Sequence, residues 1–306
     1  MFANFAEHTR IRRYWSVAHR YVRPGPAHLL MYTAGRFSTV RKVGAAISRR
    51  RSRAATDVAP QEQTSFLEKV NVDEIVARLE RDGICGGLCL RPETLNELKS
   101  FYDTAPCFGN GLRSQPFLIA QKQAAEDQYG TAFSAGRYLD CWKTCATIRN
   151  LLQDPTLISI ARGYLGAEPV LITARMWWSF SADTDSSEQV ANGQAFHYDL
   201  DDYRAICFFF YLTDVDEQSG AHQCVLGSHR SKPLRFLLSP FKQRSDASIE
   251  AAYGRERITS IFGASGEGFA EDIFCYHKGL PPRSGDRLLL QIRYRLRKYG
   301  EAGPDE

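Results

Sequence analysis

The stretch that decides the fold is Phe196–Arg230, which reads FHYDLDDYRAICFFFYLTDVDEQSGAHQCVLGSHR. It begins with His197 and Asp199, one residue apart, continues as a very apolar segment, and ends in two further histidines. Residues i and i+2 of a strand project to the same face, so this imidazole and this carboxylate would lie side by side. The pattern indicates either part of a metal site or an ordinary buried strand with polar ends.

A metal site needs a third ligand. Two histidines and one carboxylate form a facial triad that leaves three cis positions free on Fe(II). Three of the seven histidines lie near the N-terminus, which leaves His222, His229 and His277. In a jelly roll the third ligand comes from a strand far along the chain that pairs back beside the first. His222 and His229 follow Asp199 after only one strand and one turn, so His277 is the best candidate.

Arg287 follows His277 by ten residues and begins the last strong predicted strand. A buried arginine can form a bidentate ion pair with a carboxylate. A dicarboxylate cosubstrate that chelates iron through its keto-acid end needs such an anchor for its other end. A lone His-x-Asp pair or a lone late histidine is usually structural. The ordered set of four residues is what favours a metal site.

This ordered set resembles the phytanoyl-CoA dioxygenase family of Fe(II)/2-oxoglutarate-dependent oxygenases. The matching segments fall within the last ~120 residues and are Phe196–Asp199, Tyr211–Gly220, Val225–Arg230 and His277–Arg287. The resemblance implies that His197, Asp199 and His277 ligate Fe(II). It also implies that Arg287 binds the distal carboxylate of the cosubstrate 2-oxoglutarate, with Arg283 as the weaker alternative.

The resemblance also implies a type of reaction. The family's Pro-Gly-Ser-His stands here as Leu226-Gly-Ser-His229, and that histidine is not an iron ligand in the family. Related halogenases have a small residue in place of the carboxylate ligand, so Asp199 favours hydroxylation or another oxidation without halide. The implied reaction uses O2 to hydroxylate a C–H bond of a small-molecule metabolite, lipid or sugar-linked intermediate. The alternative is a cupin-like metal-binding protein or isomerase, which has no need of Arg287.

Helical patterns precede strand patterns along the chain. Helices are predicted for residues 72–83, 92–102 and 148–165, the last interrupted at Pro155. Strands are predicted for residues 84–90, 170–180, 205–213 and 287–294. The strand at 205–213 is apolar on both faces and therefore central. This order favours an α+β fold, a double-stranded β-helix (jelly roll) buttressed by N-terminal helices.

Charge divides the chain into a basic N-terminal arm and linker at 1–63, an oxygenase domain at 64–300 and a tail at 301–306. Residues 1–60 hold 12 Lys and Arg against two acids, a net charge of +10, whereas the remainder carries −6. A solvated extension, docking on the protein's own domain and peripheral membrane contact through residues 1–60 all stay open. We expect no nucleic-acid partner.

The composition excludes several classes. With 43% hydrophobic residues the chain is globular, and no apolar run approaches the ~18 residues of a membrane span. The N-terminus has basic residues but no apolar h-region and no small-residue cleavage site, so we expect it to be a poor secretory signal. The eight cysteines indicate reduced thiols in a cytoplasmic protein. Their spacing at 85/89 and 141/145 disfavours a zinc site.

Arg175, Trp177 and Tyr203 are the candidates to line the substrate pocket. Arg175 has the same strand parity as Trp177 and would be buried if that face points inward. A buried arginine at this position would either hold an anionic substrate or complete a structural ion pair. Trp177 is better explained as core.

Overall fold

The computed structural model describes residues 25–53, 64–181 and 195–299, with only the backbone given for residues 51–53. Within these ranges there are ten α-helices and two short 3-10 helices, at Ile119–Gln121 and Arg255–Arg257. The α-helices are α1 Pro26–Ala34, α2 Ser38–Arg53, α3 Val72–Asp82, α4 Pro92–Thr104, α5 Lys122–Tyr129, α6 Cys141–Thr144, α7 Ala146–Leu151, α8 Pro155–Leu165, α9 Leu234–Leu238 and α10 Asp246–Tyr253.

The strands form two antiparallel sheets. Their bounds are β1 Ile84–Cys89, β2 Cys107–Gly109, β3 Pro116–Phe117, β4 Ala135–Tyr138, β5 Val170–Ser179, β6 Ala205–Tyr211, β7 His222–Val225, β8 Ile258–Ile261, β9 Glu267–Glu271, β10 His277–Gly279 and β11 Arg287–Arg295. The large sheet has eight strands in the order β1-β9-β6-β11-β5-β4-β2-β3, and the small sheet has the order β10-β7-β8. Strand β6 lies inside the large sheet and is buried at every position, as its two-sided apolar pattern predicts.

The two sheets enclose one core, and the helices cover a second. Phe209, Phe269 and Leu289 of the large sheet pack with Cys224 of the small sheet in the interior between the sheets. The alternate residues Leu288, Leu290 and Ile292 of β11 belong instead to the core shared with helices such as α3 and α8. This two-sided burial follows from the alternation of side chains along a strand. The predicted α+β jelly roll with N-terminal helices is confirmed.

The helix boundaries follow from capping residues. Asn71 accepts a hydrogen bond from the backbone N–H of Glu74 and starts α3, which ends at Gly83 with a φ of 81°. Asp154 accepts from two backbone N–H groups at the start of α8, and Gly166 ends that helix with a φ of 69°. A left-handed φ of this kind costs little only for glycine. The pattern-based prediction of both helices therefore holds at their ends.

Helices α1 and α2 lie inside the predicted basic arm and pack on the domain. Met31 of α1 is fully buried. In α2 the Arg41 side chain donates from Nε to the Tyr203 carbonyl oxygen at 2.9 Å. A Cβ at Gly44 would lie 2.6 Å from the Tyr203 ring, so glycine allows this close approach. Docking on the protein's own domain is thus the arrangement seen for residues 26–53.

The other predictions about the chain ends fall on positions outside the described residues. These are 1–24 and 54–63 of the arm and linker, and 300–306, which include the tail. Across the residues the structure does describe, no helix is both long enough and apolar enough to cross a membrane. All eight cysteines are free, and seven of them are buried.

Candidate metal centre

His197, Asp199 and His277 come together at one edge of the interior between the sheets. One ligand atom from each residue lies within 4.8 Å of the other two, and this is the one such group of potential ligands in the described part of the chain. The backbone explains the convergence. His197 and His277 form an antiparallel bridge in which each N–H donates to the other's carbonyl oxygen, at 2.9 and 2.8 Å. The expected return of a late strand beside the first ligand is therefore present.

The strand expected at residues 197–199 is shorter than predicted. Only Phe196 and His197 form bridges, the first to Arg244 and the second to His277. The Asp199 N–H donates instead to the carbonyl oxygen of Ile273 at 2.8 Å. Asp199 is held beside the two histidines by this turn of the chain rather than by strand alternation.

Both imidazoles are oriented by backbone carbonyls. Nδ1 of His197 lies 2.9 Å from the carbonyl oxygen of Ala195, and Nδ1 of His277 lies 3.0 Å from that of Cys275. A carbonyl only accepts, so each Nδ1 carries a proton, and in a neutral imidazole Nε2 is then the atom with a lone pair for a metal. Burial lowers the pKa of His277 to about 4, although Glu271 opposes this effect. His277 is therefore neutral at neutral pH, as a metal ligand must be.

Arg293 of β11 anchors the carboxylate of this group. Its Nη2 lies 2.7 Å from Oδ2 of Asp199, and its Nη1 donates to Asp201 at 3.1 Å. Burial opposes ionisation of Asp199, but the Arg293 guanidinium holds its pKa below the usual range. Asp199 is therefore ionised, with one oxygen fixed by Arg293 and the other left for a metal. Two imidazoles and one carboxylate are the donor set of a facial triad.

Arg287 lies at the start of β11 and is 5% exposed. Its guanidinium donates to the Gly220 carbonyl oxygen and, at 3.1 Å, to the Ser179 hydroxyl, whereas its Nε has no hydrogen-bond partner. No carboxylate of the described residues forms an ion pair with it. Burial lowers the pKa of Arg287, which expresses the cost of an uncompensated cation.

The position of Gly279 shows where the Arg287 guanidinium lies relative to the ligand candidate His277. A Cβ at Gly279 would lie 3.1 Å from Nη2 of Arg287. Gly279 follows His277 by two residues in β10, and residues two apart in a strand are about 7 Å apart on the same face. The Arg287 guanidinium therefore lies beside the strand that carries His277, two residues further along it.

The other two candidate histidines do not complete the group, although the ring of His222 stacks on that of His277 with 5.5 Å between the centroids. Nε2 of His222 is 3.0 Å from Oε2 of Glu271, and burial lowers the pKa of His222 to about 3 while it raises that of Glu271 to about 7. Nδ1 of His229 lies 3.4 Å from Sγ of Cys275. The alternative arginine, Arg283, is exposed. Neither histidine belongs to the three-residue group, in agreement with the choice of His277.

The candidates for the substrate pocket differ in position, and Trp177 packs against the core between the sheets, as expected. Arg175 is exposed rather than buried, and its charge faces Asp199, Arg293 and Arg137. Arg175 was predicted to be buried, and it is exposed because of its place in the sheet. Its partner on one side is Gln291 of β11, and on the other side β4 ends opposite Met176, so this part of the inner face is open. Tyr203 is 7% exposed and packs against α2, away from the metal group.

Sequence reasoning missed Arg293. The signal was available, since Arg287, Gln291 and Arg293 share one parity in the strand predicted at 287–294. Polar side chains on the inner face of a central strand must find partners. The alternation therefore pointed to a polar interior facing the predicted ligands.

No protein-family model matches this chain, and no curated protein matches it. Solved structures with the same fold do exist. The non-heme alpha ketoglutarate dependent epimerase SnoN from nogalamycin biosynthesis superposes with a TM-score of 0.50 at 14% identity, over 76% of this chain and 87% of that chain. The non-heme alpha ketoglutarate dependent carbocyclase SnoK from the same biosynthesis gives the same TM-score, identity and coverage. At this identity the likeness establishes the jelly-roll fold.

Proposed function

We propose that this protein is a non-haem Fe(II)/2-oxoglutarate-dependent oxygenase of the phytanoyl-CoA dioxygenase type. The observation that carries the proposal is a pair of features on one interior surface. Three ligands of the facial-triad type lie within 4.8 Å of one another, and a buried arginine without a carboxylate partner in the described ranges lies close by. Each feature has an ordinary structural explanation alone, but a keto-acid cosubstrate needs both.

The donor set fits Fe(II). His197 and His277 would bind through Nε2, because their Nδ1 atoms are engaged by backbone carbonyls. Asp199 would bind through the oxygen that Arg293 leaves free. This arrangement occupies one face of an octahedral ion and leaves the other three positions for cosubstrate and O2.

Arg287 fits the far carboxylate of 2-oxoglutarate. A guanidinium presents paired N–H donors that match a carboxylate, and an ion pair would supply the counter-charge that the described residues do not provide. Ser179 and Gly220 hold the guanidinium in place, and Gly279 keeps the space beside it free of a side chain. An isomerase or a simple metal-binding jelly roll gives no reason to bury this cation.

When bound, iron and 2-oxoglutarate would supply the oxidising power that breaks a substrate C–H bond with O2. The chain's contribution is orientation and exclusion of water. Phe209, Phe269 and Leu289 make the interior apolar, and Arg293 fixes the carboxylate ligand. Asp199 leaves no position for a halide ligand, so we propose hydroxylation. The structural neighbours SnoN and SnoK are an epimerase and a carbocyclase, and product analysis would distinguish these reactions from hydroxylation.

An anionic substrate is favoured by the mouth of this interior. Arg137 of β4 pairs in register with Trp177 and lies near Arg175, so both arginines are on the inner face. Both are exposed, and neither has an ion pair or hydrogen bond among the described residues. A carboxylate or phosphate on the substrate would neutralise them. In a compound screen, acids should therefore stimulate turnover more than their amides, and Arg175→Gln should remove that preference.

The test of the function is cosubstrate turnover. Purified protein is supplied with Fe(II), O2 and 2-oxoglutarate labelled at C1, and labelled CO2 and succinate are measured. We expect slow turnover without substrate in the wild type, loss of turnover in His277→Ala, and normal turnover in the control His28→Ala, whose ring packs on Tyr299. If the iron-loaded wild type releases no CO2 with any substrate pool, the metal-binding or isomerase alternative is preferred.

A further inference from the structure

A second concavity of about 750 Å³ lies on the other side of the segment that carries Glu271 and Asp272. Glu271 faces inward and contacts His222, whereas Asp272 faces outward and accepts from the Tyr164 hydroxyl. None of the three metal-binding candidates lines the cavity, and neither does Arg287. We call it the basic pocket, and its lining residues are Ser38, Arg41, Lys42, Ala45, Arg49, Glu80, Arg81, Tyr164, Tyr203, Arg204, Gly227, His229, Arg230, Ser231, Arg257 and Asp272.

The charge of the basic pocket is unbalanced. Seven lining residues are lysine or arginine, whereas only Glu80 and Asp272 are acidic. Both acids are already engaged, since Glu80 pairs with Arg204 and Asp272 lies 3.5 Å from Arg41. Like charges gathered in a concave surface with low-dielectric walls strengthen the local potential. The pocket is therefore strongly positive.

Three of its cations have no ion pair or hydrogen bond from their side chains in the described ranges. They are Lys42, Arg230 and Arg257, and all three are exposed. They come from α2, from the turn after β7 and from the 3-10 helix before β8, so the fold brings together residues that are distant in sequence. An ordinary solvated surface would place acids between them.

The Gly-Ser-His-Arg motif, which the metal centre does not use, builds this pocket. The backbone N–H of Arg230 donates to the Gly227 carbonyl oxygen at 3.1 Å, which fixes the backbone at Arg230. Gly227 has a φ of 73°, and a Cβ there would lie 3.3 Å from Nη1 of Arg257. Glycine thus forms the turn and lets the Arg257 guanidinium lie against it. The Leu226 N–H donates to the Arg257 carbonyl oxygen at 2.8 Å, which fixes that segment as well.

We infer that the basic pocket binds a small molecule or headgroup that carries at least two phosphate charges. A single carboxylate would neutralise one of the three unpaired cations, whereas a diphosphate or bisphosphate presents enough charge and acceptor oxygens for all three. Guanidinium groups match phosphate oxygens bidentately. The cavity volume lies within the range of small-molecule sites. The inference does not depend on the proposed oxygenase activity.

The test is binding of inorganic pyrophosphate to the full chain, measured by calorimetry at about physiological ionic strength, where weak surface attraction is screened. A variant with Lys42→Gln, Arg230→Gln and Arg257→Gln removes the unpaired cations. A matched variant with Lys69→Gln, Lys99→Gln and Lys298→Gln removes three exposed charges that do not line the pocket. Both retain the basic N-terminus. Thermal unfolding checks that both are folded.

We expect saturable binding of one pyrophosphate, at least about tenfold weaker in the pocket variant and unchanged in the matched variant. Flotation with phosphatidylcholine vesicles that contain a phosphatidylinositol bisphosphate distinguishes a lipid headgroup from a free phosphate-bearing molecule. Flotation lost only in the pocket variant indicates a lipid headgroup, whereas pyrophosphate binding without flotation indicates a free ligand. Equal binding by both variants would assign the attraction to other basic residues and overturn the inference. Absence of both pyrophosphate binding and flotation in the wild type would overturn it too.

Discussion

Replacement of Arg287 by methionine should separate stability from cosubstrate binding. The substitution keeps an unbranched apolar side chain of similar reach and removes the guanidinium. Arg287 is 5% exposed and donates to Gly220 and Ser179, but it has no ion pair within the described residues. If Arg287 serves stability, its replacement should destabilise the fold. If it serves a ligand, its replacement should instead weaken the binding of 2-oxoglutarate.

These contacts determine the expected change in the free energy of unfolding and the expected loss of affinity for 2-oxoglutarate. Loss of two hydrogen bonds from a charged donor costs about 1.5–3 kcal/mol each. Removal of a buried cation that has no ion pair also ends its desolvation cost, which stabilises the protein by several kcal/mol, on the order of the same amount. The free energy of unfolding without cosubstrate should thus change by less than about 2 kcal/mol. Removal of one partner from a buried charge pair costs about 2–5 kcal/mol of binding, roughly a 30- to 4,000-fold loss of affinity for 2-oxoglutarate.

The assay has two parts. Urea unfolding of the metal-free protein gives the stability difference, and anaerobic titration of the Fe(II)-loaded protein with 2-oxoglutarate gives the affinity. Ser179→Ala is the control, because it removes one support of the guanidinium but not its charge. The account is refuted if Arg287→Met destabilises the metal-free protein by 3–5 kcal/mol, as expected when a paired buried charge is broken, while leaving the affinity for 2-oxoglutarate unchanged.

Three further outcomes are expected. Gly279→Ala places a methyl group 3.1 Å from Nη2 of Arg287 and should weaken 2-oxoglutarate binding several-fold in titrations, with metal affinity unchanged. Arg293→Met frees Asp199 from its anchor and should lower metal affinity by about 10- to 100-fold in a Co(II) titration; an unchanged affinity would mean that Arg293 does not orient the ligand. Burial lowers the pKa of Lys232 from 10.5 to about 7. Between these two pH values the unfolded chain holds a proton that the folded protein lacks, so the free energy of unfolding rises with pH. Urea unfolding across this window should show that extra slope, up to about 1.4 kcal/mol per pH unit, in the wild type and not in Lys232→Met.

The sequence contained most of the fold because its elements have strong local signals. The β6 segment is apolar on both faces, and α3 and α8 have a capping side chain before them and a glycine after them. The order and spacing of His197, Asp199 and His277 predicted a group that the structure brings within 4.8 Å. These features depend on short-range patterns or on the direction in which strands return.

Helix α2 could not be predicted in the same way. Its buried positions Arg41, Ala45 and Ser48 have helical spacing but are polar or small, so its sequence resembles a charged solvated run. It is buried because it docks against Tyr203 and Asp272, which are far away in sequence. The basic pocket arises from the same docking and has no local signal.

The central claim is that His197, Asp199 and His277 hold iron to which 2-oxoglutarate binds. The most direct measurement is the visible charge-transfer absorption after anaerobic addition of Fe(II) and then 2-oxoglutarate to the purified protein. The account predicts this band in the wild type and in His28→Ala, whose ring packs on Tyr299 outside the metal group, and its absence in His277→Ala. A band that persists in His277→Ala, or an iron-loaded wild type without a band, would contradict it.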